Sequence, residues 1–144
     1  IGASLFSLVF RGFGGDRIVE DFLTNIPGGP TYSLFLVMIT IFIIGFFLDF
    51  LEIIFVIIPI VAPSLIAMGF DPIWLGIMIA INIQTSFLTP PFGFALFYLR
   101  GVASKEIKTS EIYKGVIPFI ALQLLLILLM YFFPNIITWL PSQL

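Results

Sequence analysis

The segment Asn82–Phe97, NIQTSFLTPPFGFALF, places prolines and oxygen-bearing side chains in the middle of an otherwise apolar stretch. Pro90 and Pro91 lack the backbone N–H that a helix needs, and the ring of each clashes with the carbonyl of the preceding turn. The sequence therefore predicts a helix over residues 73–99 that is broken near residues 85–93.

Oxygen atoms from the backbone and from side chains are expected to meet at this break. The prolines free helical carbonyl groups, and neighbouring hydroxyl and amide side chains add neutral oxygens. Transporters with broken helices bind cations and substrates with such groups near the bilayer midplane. The predicted binding residues are Asn82, Gln84, Thr85, Ser86, Thr89, Pro90, Pro91 and Gly93. The alternative is a proline kink whose carbonyls are satisfied by threonine hydroxyls and water.

The composition of the chain is that of a membrane protein. Hydrophobic residues make up 60% of the sequence and charged residues 10%, whereas an ordinary soluble domain has about 25% charged residues. Long, uncharged, mainly apolar stretches indicate membrane-embedded helices. These stretches are 31–44, 53–70, 73–99 and 116–144. We therefore expect an all-α, multi-pass membrane protein surrounded by lipid.

The residue types that are missing exclude several kinds of chemistry. The sequence contains no cysteine and no histidine, which excludes disulfides and thiolate catalysis and removes the commonest metal ligand and proton shuttle. A net charge of −2 provides no electrostatic footprint for nucleic acid. Carboxylates, hydroxyls, amides and carbonyls remain, and these are ligands of hard cations.

Positive charge is concentrated in residues 100–115, which contain four of the six basic residues. The positive-inside rule makes this segment a cytoplasmic loop, which also holds a plausible short interfacial helix, since Ser110, Glu111 and Ile112 could open the following span. The last transmembrane helix, 116–133, then runs outward and is followed by a periplasmic tail, 134–144. Before these segments, 1–13 is expected to be the end of a transmembrane helix, and the amphipathic segment 14–30 an arm helix at the outer interface.

Residues 31–69 are too long for one straight crossing of the membrane. A continuous helix of this length would measure roughly 58 Å, about twice the hydrocarbon thickness of a bilayer. Two arms that meet near residues 45–52 resolve the excess length. A re-entrant hairpin from the outer side is favoured, because a cytoplasmic turn without Lys or Arg is unusual. Two short spans with a cytoplasmic turn are the alternative.

Three polar residues stand at membrane depth outside the break. Asp49 and Glu52 lie near the tip of the expected hairpin, and an ionisable residue in the membrane is a functional candidate. Asp49 is predicted to contribute to binding, whereas Glu52 is as readily explained by snorkelling to an interface. Gln123, alone in the last span, is expected to form a hydrogen bond between helices.

Four motifs make the chain resemble a known family. They are Gly-x-x-x-Asp at Gly45–Asp49, Pro-x-x-x-Pro at Pro59–Pro63, Gly-x-Asp-Pro at Gly69–Pro72 and Leu-Thr-Pro-Pro-x-Gly at Leu88–Gly93. Together with the closing PFIALQLLLILLMYFFPNIITWLP, they are similar to the C-terminal half of the large membrane subunit of tripartite ATP-independent periplasmic (TRAP) transporters. Because the sequence starts at Ile1 rather than Met, we expect it to be part of a longer protein.

The resemblance implies an elevator-type transporter fold in which this chain is the second inverted repeat, with a re-entrant hairpin and a broken helix. It implies that Asp49 and Thr89 contribute to a Na+ site, with Na+ as coupling ion and no other cofactor. The implied partners are a small membrane subunit and a periplasmic solute-binding protein that delivers an organic anion, at the bacterial inner membrane. Many family members carry a glycine before Thr-Pro-Pro, and Ser86 and Phe87 at that place leave the ligand open.

The expected function is therefore that of a non-enzymatic membrane subunit of a sodium-coupled importer of small organic acids. One alternative is an intramembrane enzyme that uses Asp49 and Glu52, since two carboxylates that share a proton can perform acid–base catalysis. Carboxylates on adjacent turns of one segment rarely converge from opposite sides of a substrate, which disfavours this alternative. A passive channel subunit is the third class.

Overall fold

The computed structural model describes residues 2–90, 93–104, 106–139 and 141–143, and the regular elements in those ranges are all helical. The helices are α1 (Gly2–Gly12), α2 (Gly15–Thr24), α3 (Pro30–Ile44), α4 (Phe50–Glu52), α5 (Ile58–Ala67), α6 (Pro72–Leu88), α7 (Phe94–Val102), α8 (Thr109–Phe132) and α9 (Asn135–Thr138). A π-helical segment, Ile53–Ile57, joins α4 to α5, so Phe50–Ala67 is one continuous helix. A 3-10 turn, Pro141–Gln143, follows α9. The prediction of an all-α fold is confirmed.

The turn between α5 and α6 shows how the local sequence sets the helix ends. Gly69 adopts φ 99°, a left-handed conformation that glycine accepts without strain, and it terminates α5. Asp71 then caps α6, because its Oδ1 accepts a hydrogen bond from the Trp74 N–H at 2.8 Å. Pro72 occupies the first helical position, where its missing N–H costs nothing.

Helix α6 is the central element of the bundle. It packs against α3, α7, α8 and α9. The residues of α6 that are buried in the main hydrophobic cluster are Trp74, Leu75, Met78, Ile79 and Ile83. A smaller cluster of Leu96, Ile112 and Val116 joins α7 to α8. Both ends of α6 are thus fixed by packing, and the break that follows its last turn lies next to both clusters.

Helix α3 and the Phe50–Ala67 helix form a hairpin whose arms pack against each other. The arms contain 15 and 18 residues, which correspond to roughly 22 and 27 Å of helix. The connecting turn spans residues 45–49. Ile41 and Ile53, one on each arm near this turn, are both fully buried. Both arms therefore contribute a fully buried side chain near the tip.

Two helices of the described part of the chain are long and apolar enough to cross a bilayer, namely Phe50–Ala67 and Thr109–Phe132. Only 17% and 11% of their most apolar windows are buried inside the structure, whereas the core helix of a soluble protein would be mostly buried. Their apolar sides face outward, as in a protein surrounded by lipid or by further helices.

The basic segment 100–115 contains the end of one helix and the start of the next. Helix α7 continues to Val102 and α8 begins at Thr109, beside the residues Ser110, Glu111 and Ile112 that indicated a helix start. The Glu111 carboxylate accepts a hydrogen bond from the Lys108 N–H at 2.9 Å, which satisfies a donor at the start of α8. The cytoplasmic position of residues 100–115 stays a prediction.

Candidate functional site at the hairpin tip and the helix break

The two prolines separate α6 from α7, and the hydrogen bonds of the last turn rearrange. Thr89 has an extended backbone, with φ −88° and ψ 124°, as expected for a residue before proline. Its N–H donates to the Ser86 carbonyl at 3.1 Å, which Pro90 cannot serve because it has no N–H. The Thr85 carbonyl thereby loses its usual donor.

Side-chain hydroxyls bind the carbonyls around the break. Thr89 Oγ1 donates to the Thr85 carbonyl, Thr85 Oγ1 to the Ile81 carbonyl and Ser86 Oγ to the Ile83 carbonyl, each at 2.7 Å. Because each hydroxyl donates its single proton to the helix, its oxygen remains available as an acceptor. Thr85 and Ser86 are fully buried. The bond from Thr89 is also typical of a simple proline kink.

Gly93 packs directly against two carbonyl groups after the break. A Cβ at this position would lie 2.5 Å from the Phe87 oxygen and 3.0 Å from the Thr89 oxygen, so no larger residue fits without displacing the backbone. The Phe87 carbonyl has no helical donor, because the residue four positions ahead is a proline. Two carbonyl oxygens therefore converge on the backbone of Gly93.

The tip of the hairpin touches the end of α6, a contact that a simple proline kink does not require. A Cβ on Gly45 would overlap the side chain of Ser86, so the backbone of the tip lies directly on that hydroxyl. The ring of Phe87 lies edge-on to Phe50 of the hairpin and to Phe94 of α7, with centroid distances of 6.4 and 5.7 Å. The hairpin tip and the helix break thus form one local site.

Asp49 has a structural role at the tip that the sequence analysis did not assign. Its Oδ1 accepts a hydrogen bond from the Phe50 N–H at 2.8 Å and caps the following helix, where a carboxylate also compensates the helix dipole. Asp49 and Glu52 are both exposed in this chain. The participation of Asp49 in a Na+ site stays a prediction.

The other predicted residues differ in their positions. Asn82 is buried, and its Nδ2 donates to the Met38 carbonyl at 2.8 Å, so this amide joins α6 to α3. Gln84 is exposed and is not brought into the buried group of hydroxyls. Pro90 lies half-buried at the break, whereas Pro91 lies outside the described residues. Their roles in binding stay predictions.

Two residues that contribute to this site were not predicted as part of it. Gly45 provides the close contact with Ser86, and the signal available in the sequence was a glycine at the C-terminal end of an apolar helix. Phe87 bridges the hairpin and α7, but a phenylalanine in so aromatic a chain carries no sequence signal of its own.

A cavity of about 190 Å³ opens beside the break, between α7 and α8. It is lined by Gly93, Leu96, Phe97, Arg100, Thr109, Ile112 and Tyr113. A larger groove of about 750 Å³ lies between α3, α6 and α8. Its walls are almost entirely apolar, so it is less suited to an ion than the oxygen-rich break is.

Acidic clusters do not contribute to a metal site in the ranges that the structure describes, since no group of three or more Asp or Glu side chains lies together there. Any cation at the break would be bound chiefly by neutral oxygens.

Gln123 differs from expectation: its Oε1 is buried and has no hydrogen-bond partner among the described residues. The expected bond between helices is therefore not formed through this oxygen.

A helical hairpin whose tip touches a broken helix, within an apolar helical bundle, is typical of membrane transport proteins. The chain belongs to the family described as "Tripartite ATP-independent periplasmic transporter, DctM component", which matches residues 1–136. The family that the motifs predicted is confirmed, and the chain is part of an integral membrane protein.

Curated relatives agree with this assignment. The chain is 33% identical over 128 residues to the C4-dicarboxylate TRAP transporter large permease protein DctM of Vibrio cholerae, which covers 89% of this chain and 28% of that protein. It is 36% identical over 131 residues to the isethionate TRAP transporter permease protein DctMQ of Oleidesulfovibrio alaskensis, covering 86% and 20%. It is 26% identical over 142 residues to the sialic acid TRAP transporter large permease protein SiaM of Vibrio cholerae, covering 99% and 33%.

The chain spans between a fifth and a third of the length of these relatives. Their names describe transporter permeases and not enzymes. The chain therefore belongs to a family of transporter permeases and not to a family of enzymes that would use Asp49 and Glu52.

Proposed function

We propose that the chain is the second inverted repeat of the membrane subunit of a sodium-coupled transporter that imports small organic acids. The observation that carries this proposal is the contact between Gly45 and Ser86. It joins a hairpin tip to the end of a broken helix, around buried hydroxyl oxygens. Secondary transporters bind ions and substrates at such junctions near the bilayer midplane.

The chemistry of the break suits a hard monovalent cation. The hydroxyl oxygens of Thr85, Ser86 and Thr89 retain acceptor capacity after donating to the helix. The Phe87 carbonyl adds a further oxygen without a helical donor. In our proposal, Thr89 and Asp49 contribute to the Na+ site, and the Asp49 carboxylate compensates the ionic charge.

The dimensions of the hairpin support its re-entrant form within an elevator-type fold. Helix α3 has 15 residues, roughly 22 Å of helix, which is shorter than the ~30 Å hydrocarbon core. Substituted-cysteine labelling at exposed Phe47 in the tip tests this form. A re-entrant tip should resist a membrane-impermeant reagent added from the cytoplasmic side, whereas rapid labelling from that side would establish two short spans.

The proposed partners follow from the three-part family. They are a small membrane subunit and a periplasmic solute-binding protein, acting at the bacterial inner membrane. The names of the relatives mention C4-dicarboxylate, isethionate and sialic acid, which are all small organic acids. These names support the class of substrate and leave its identity open.

Reconstituted transport by the full-length protein with its two partners tests the proposal. Uptake of succinate, isethionate and sialic acid into proteoliposomes is measured under two conditions. One has an inward Na+ gradient, and in the other K+ replaces Na+. We expect Na+ to accelerate uptake of at least one probe. Uptake that is indifferent to Na+ contradicts the coupling, and conductance that needs no binding protein would establish a passive channel.

Two variants test the ion site, each with a matched control. Thr89→Ala and Asp49→Asn should each raise the Na+ concentration for half-maximal uptake by roughly tenfold, the effect of losing one charge-assisted contact. Thr40→Ala removes a hydroxyl that also donates to a carbonyl of the preceding turn, but from an exposed part of α3. Asp21→Asn removes a carboxylate from the exposed face of α2. Neither control should change the Na+ dependence.

A further inference from the structure

A carbonyl group of the hairpin is satisfied by a side chain from α1. In the Phe50–Ala67 helix, the Pro59 carbonyl would accept from the N–H of residue 63, but Pro63 has none. Arg11 Nη2 donates to this carbonyl at 3.0 Å. The guanidinium therefore replaces the helical donor that proline removes, with a charge-assisted bond that is stronger than the one it replaces.

The bond from Arg11 lies in a part of the hairpin where the backbone hydrogen bonds of the helix are irregular. The π-helical segment Ile53–Ile57 ends two residues before Pro59, and the Ile58 N–H donates to the Ile53 carbonyl across five residues. Such segments interrupt the regular helical ladder and are commonly sites of bending. Two prolines follow within the same helix. An external donor at the Pro59 carbonyl therefore supplies a hydrogen bond at a place where the regular helical ladder is interrupted.

The residue that supplies the donor stands next to a tight corner. Gly14 adopts φ 73° between α1 and α2, and Gly15 is buried against the ring of Phe10, where a Cβ would lie 2.5 Å from the ring. Helix α1 packs against the π-helical segment, and α2 packs against α5. The α1–α2 corner thus packs against the Phe50–Ala67 arm of the hairpin, and Arg11 provides a directional bond between them.

We propose that Arg11 is a positioning residue that fixes the Phe50–Ala67 arm of the hairpin, at its Pro59 carbonyl, to the α1–α2 corner. The consequence for transport rests on the proposed function, but the positioning itself does not. An arginine that merely extends toward the interface would bury its alkyl stem and leave its head in water. In this chain the Arg11 side chain is exposed, but its head donates to the Pro59 carbonyl, which Pro63 leaves without a helical donor.

A double-mutant cycle between Arg11 and Pro63 tests the proposal in the full-length complex in nanodiscs. Nitroxide labels at exposed Leu8 and Phe55 report the distance between α1 and the hairpin. Arg11→Gln should broaden the distance distribution and slow Na+-driven uptake on the order of tenfold, the effect of one charged hydrogen bond. Pro63→Ala restores a backbone N–H at position 63, so Arg11→Gln in that background should change uptake less than twofold.

Controls separate positioning from loss of charge or of folding. Arg17→Gln removes a positive charge from exposed α2 and should leave the distances unchanged. Arg11→Lys keeps a charged donor and should restore a narrow distribution in part. The proposal is overturned if Arg11→Gln broadens the distance distribution equally in the Pro63 and the Pro63→Ala backgrounds. It is also overturned if Arg11→Gln does not broaden the distribution at all. If narrow distances depend on Arg11 while uptake ignores Na+ in every variant, the positioning role stands and the proposed function fails.

Discussion

The backbone of Gly45 lies on the side chain of Ser86, so the tip of the hairpin and the last turn of α6 cannot separate without opening the candidate site. Both residues are buried, and Ser86 keeps its proton engaged with the Ile83 carbonyl at 2.7 Å. The Ser86 oxygen is therefore available as an acceptor at the surface where two elements meet. Substitutions at this contact and around it therefore test how much the protein depends on it.

Gly45→Ala should destabilise the protein by about 1–3 kcal/mol, because the added methyl group overpacks a buried contact. The thermal unfolding midpoint of the purified full-length complex measures this change. Gly76→Ala is the matched control, since a Cβ at Gly76 meets nothing within 4 Å, and helical alanine is favoured over glycine by roughly 0.5–1 kcal/mol. An equal or higher midpoint for Gly45→Ala would contradict the close contact. Combining it with Ser86→Gly should recover part of the loss.

Gly93→Ala should lower uptake by the reconstituted complex, because a Cβ at this position displaces the Phe87 or Thr89 carbonyl. The expected cost in stability is again about 1–3 kcal/mol. Gly115→Ala on α8 provides the comparison, because a Cβ there occupies open space. Normal uptake and stability in Gly93→Ala would show that these carbonyls do not need their present positions.

Trp74→Phe should destabilise the bundle by about 1–3 kcal/mol, the cost of leaving a buried acceptor without a donor. Trp74 Nε1 donates to the Met130 carbonyl at 3.0 Å, and the helical donor for that carbonyl is missing because residue 134 is a proline. Phenylalanine preserves most of the apolar contact but cannot donate. Thermal unfolding followed by far-UV circular dichroism measures the effect, and an unchanged midpoint would show that another donor serves Met130.

Gln123→Leu should be neutral or stabilising by about 1 kcal/mol, because Gln123 Oε1 is buried without a partner and an apolar group of similar size removes that cost. Gln123→Glu should be destabilising, since it places a charge at the same buried position. The two midpoints are compared in the full-length protein. A marked loss of stability in Gln123→Leu would reveal a donor to Oε1 from outside the described residues.

Local chemistry made some features predictable. A double proline after Thr89 predicts a broken helix because proline removes a donor and excludes the preceding turn. The end of α5 at Gly69 and the start of α6 after Asp71 follow from glycine, capping and proline preferences in the same way. The start of α8 also follows local rules, because Glu111 accepts from the Lys108 N–H beside the residues Ser110, Glu111 and Ile112 that indicated a helix start.

Contacts between distant segments were not predictable to the same degree. Asn82 was predicted as a binding residue from its amide oxygen, and the structure engages its amide nitrogen with the Met38 carbonyl. The sequence also indicated no hydrogen-bond donor for the Pro59 carbonyl. Pro63 removes the helical donor, so that carbonyl needs another one, and Arg11 provides it. The identity of the donor depends on how the helices pack against one another. Helical periodicity in the sequence indicates only which residues lie on the same face of one helix.

The sequence by itself determined that this is an all-α membrane protein with a helix break near Thr89, and its motifs determined the family. These properties depend on hydrophobicity, on absent N–H groups and on local backbone sterics, which act over a few residues. Only the tertiary structure decided that Gly45 meets Ser86 and that Arg11 serves the Pro59 carbonyl. Those contacts join segments far apart in the chain, because shape complementarity and the need to satisfy every buried polar group can be met only once the helices are packed.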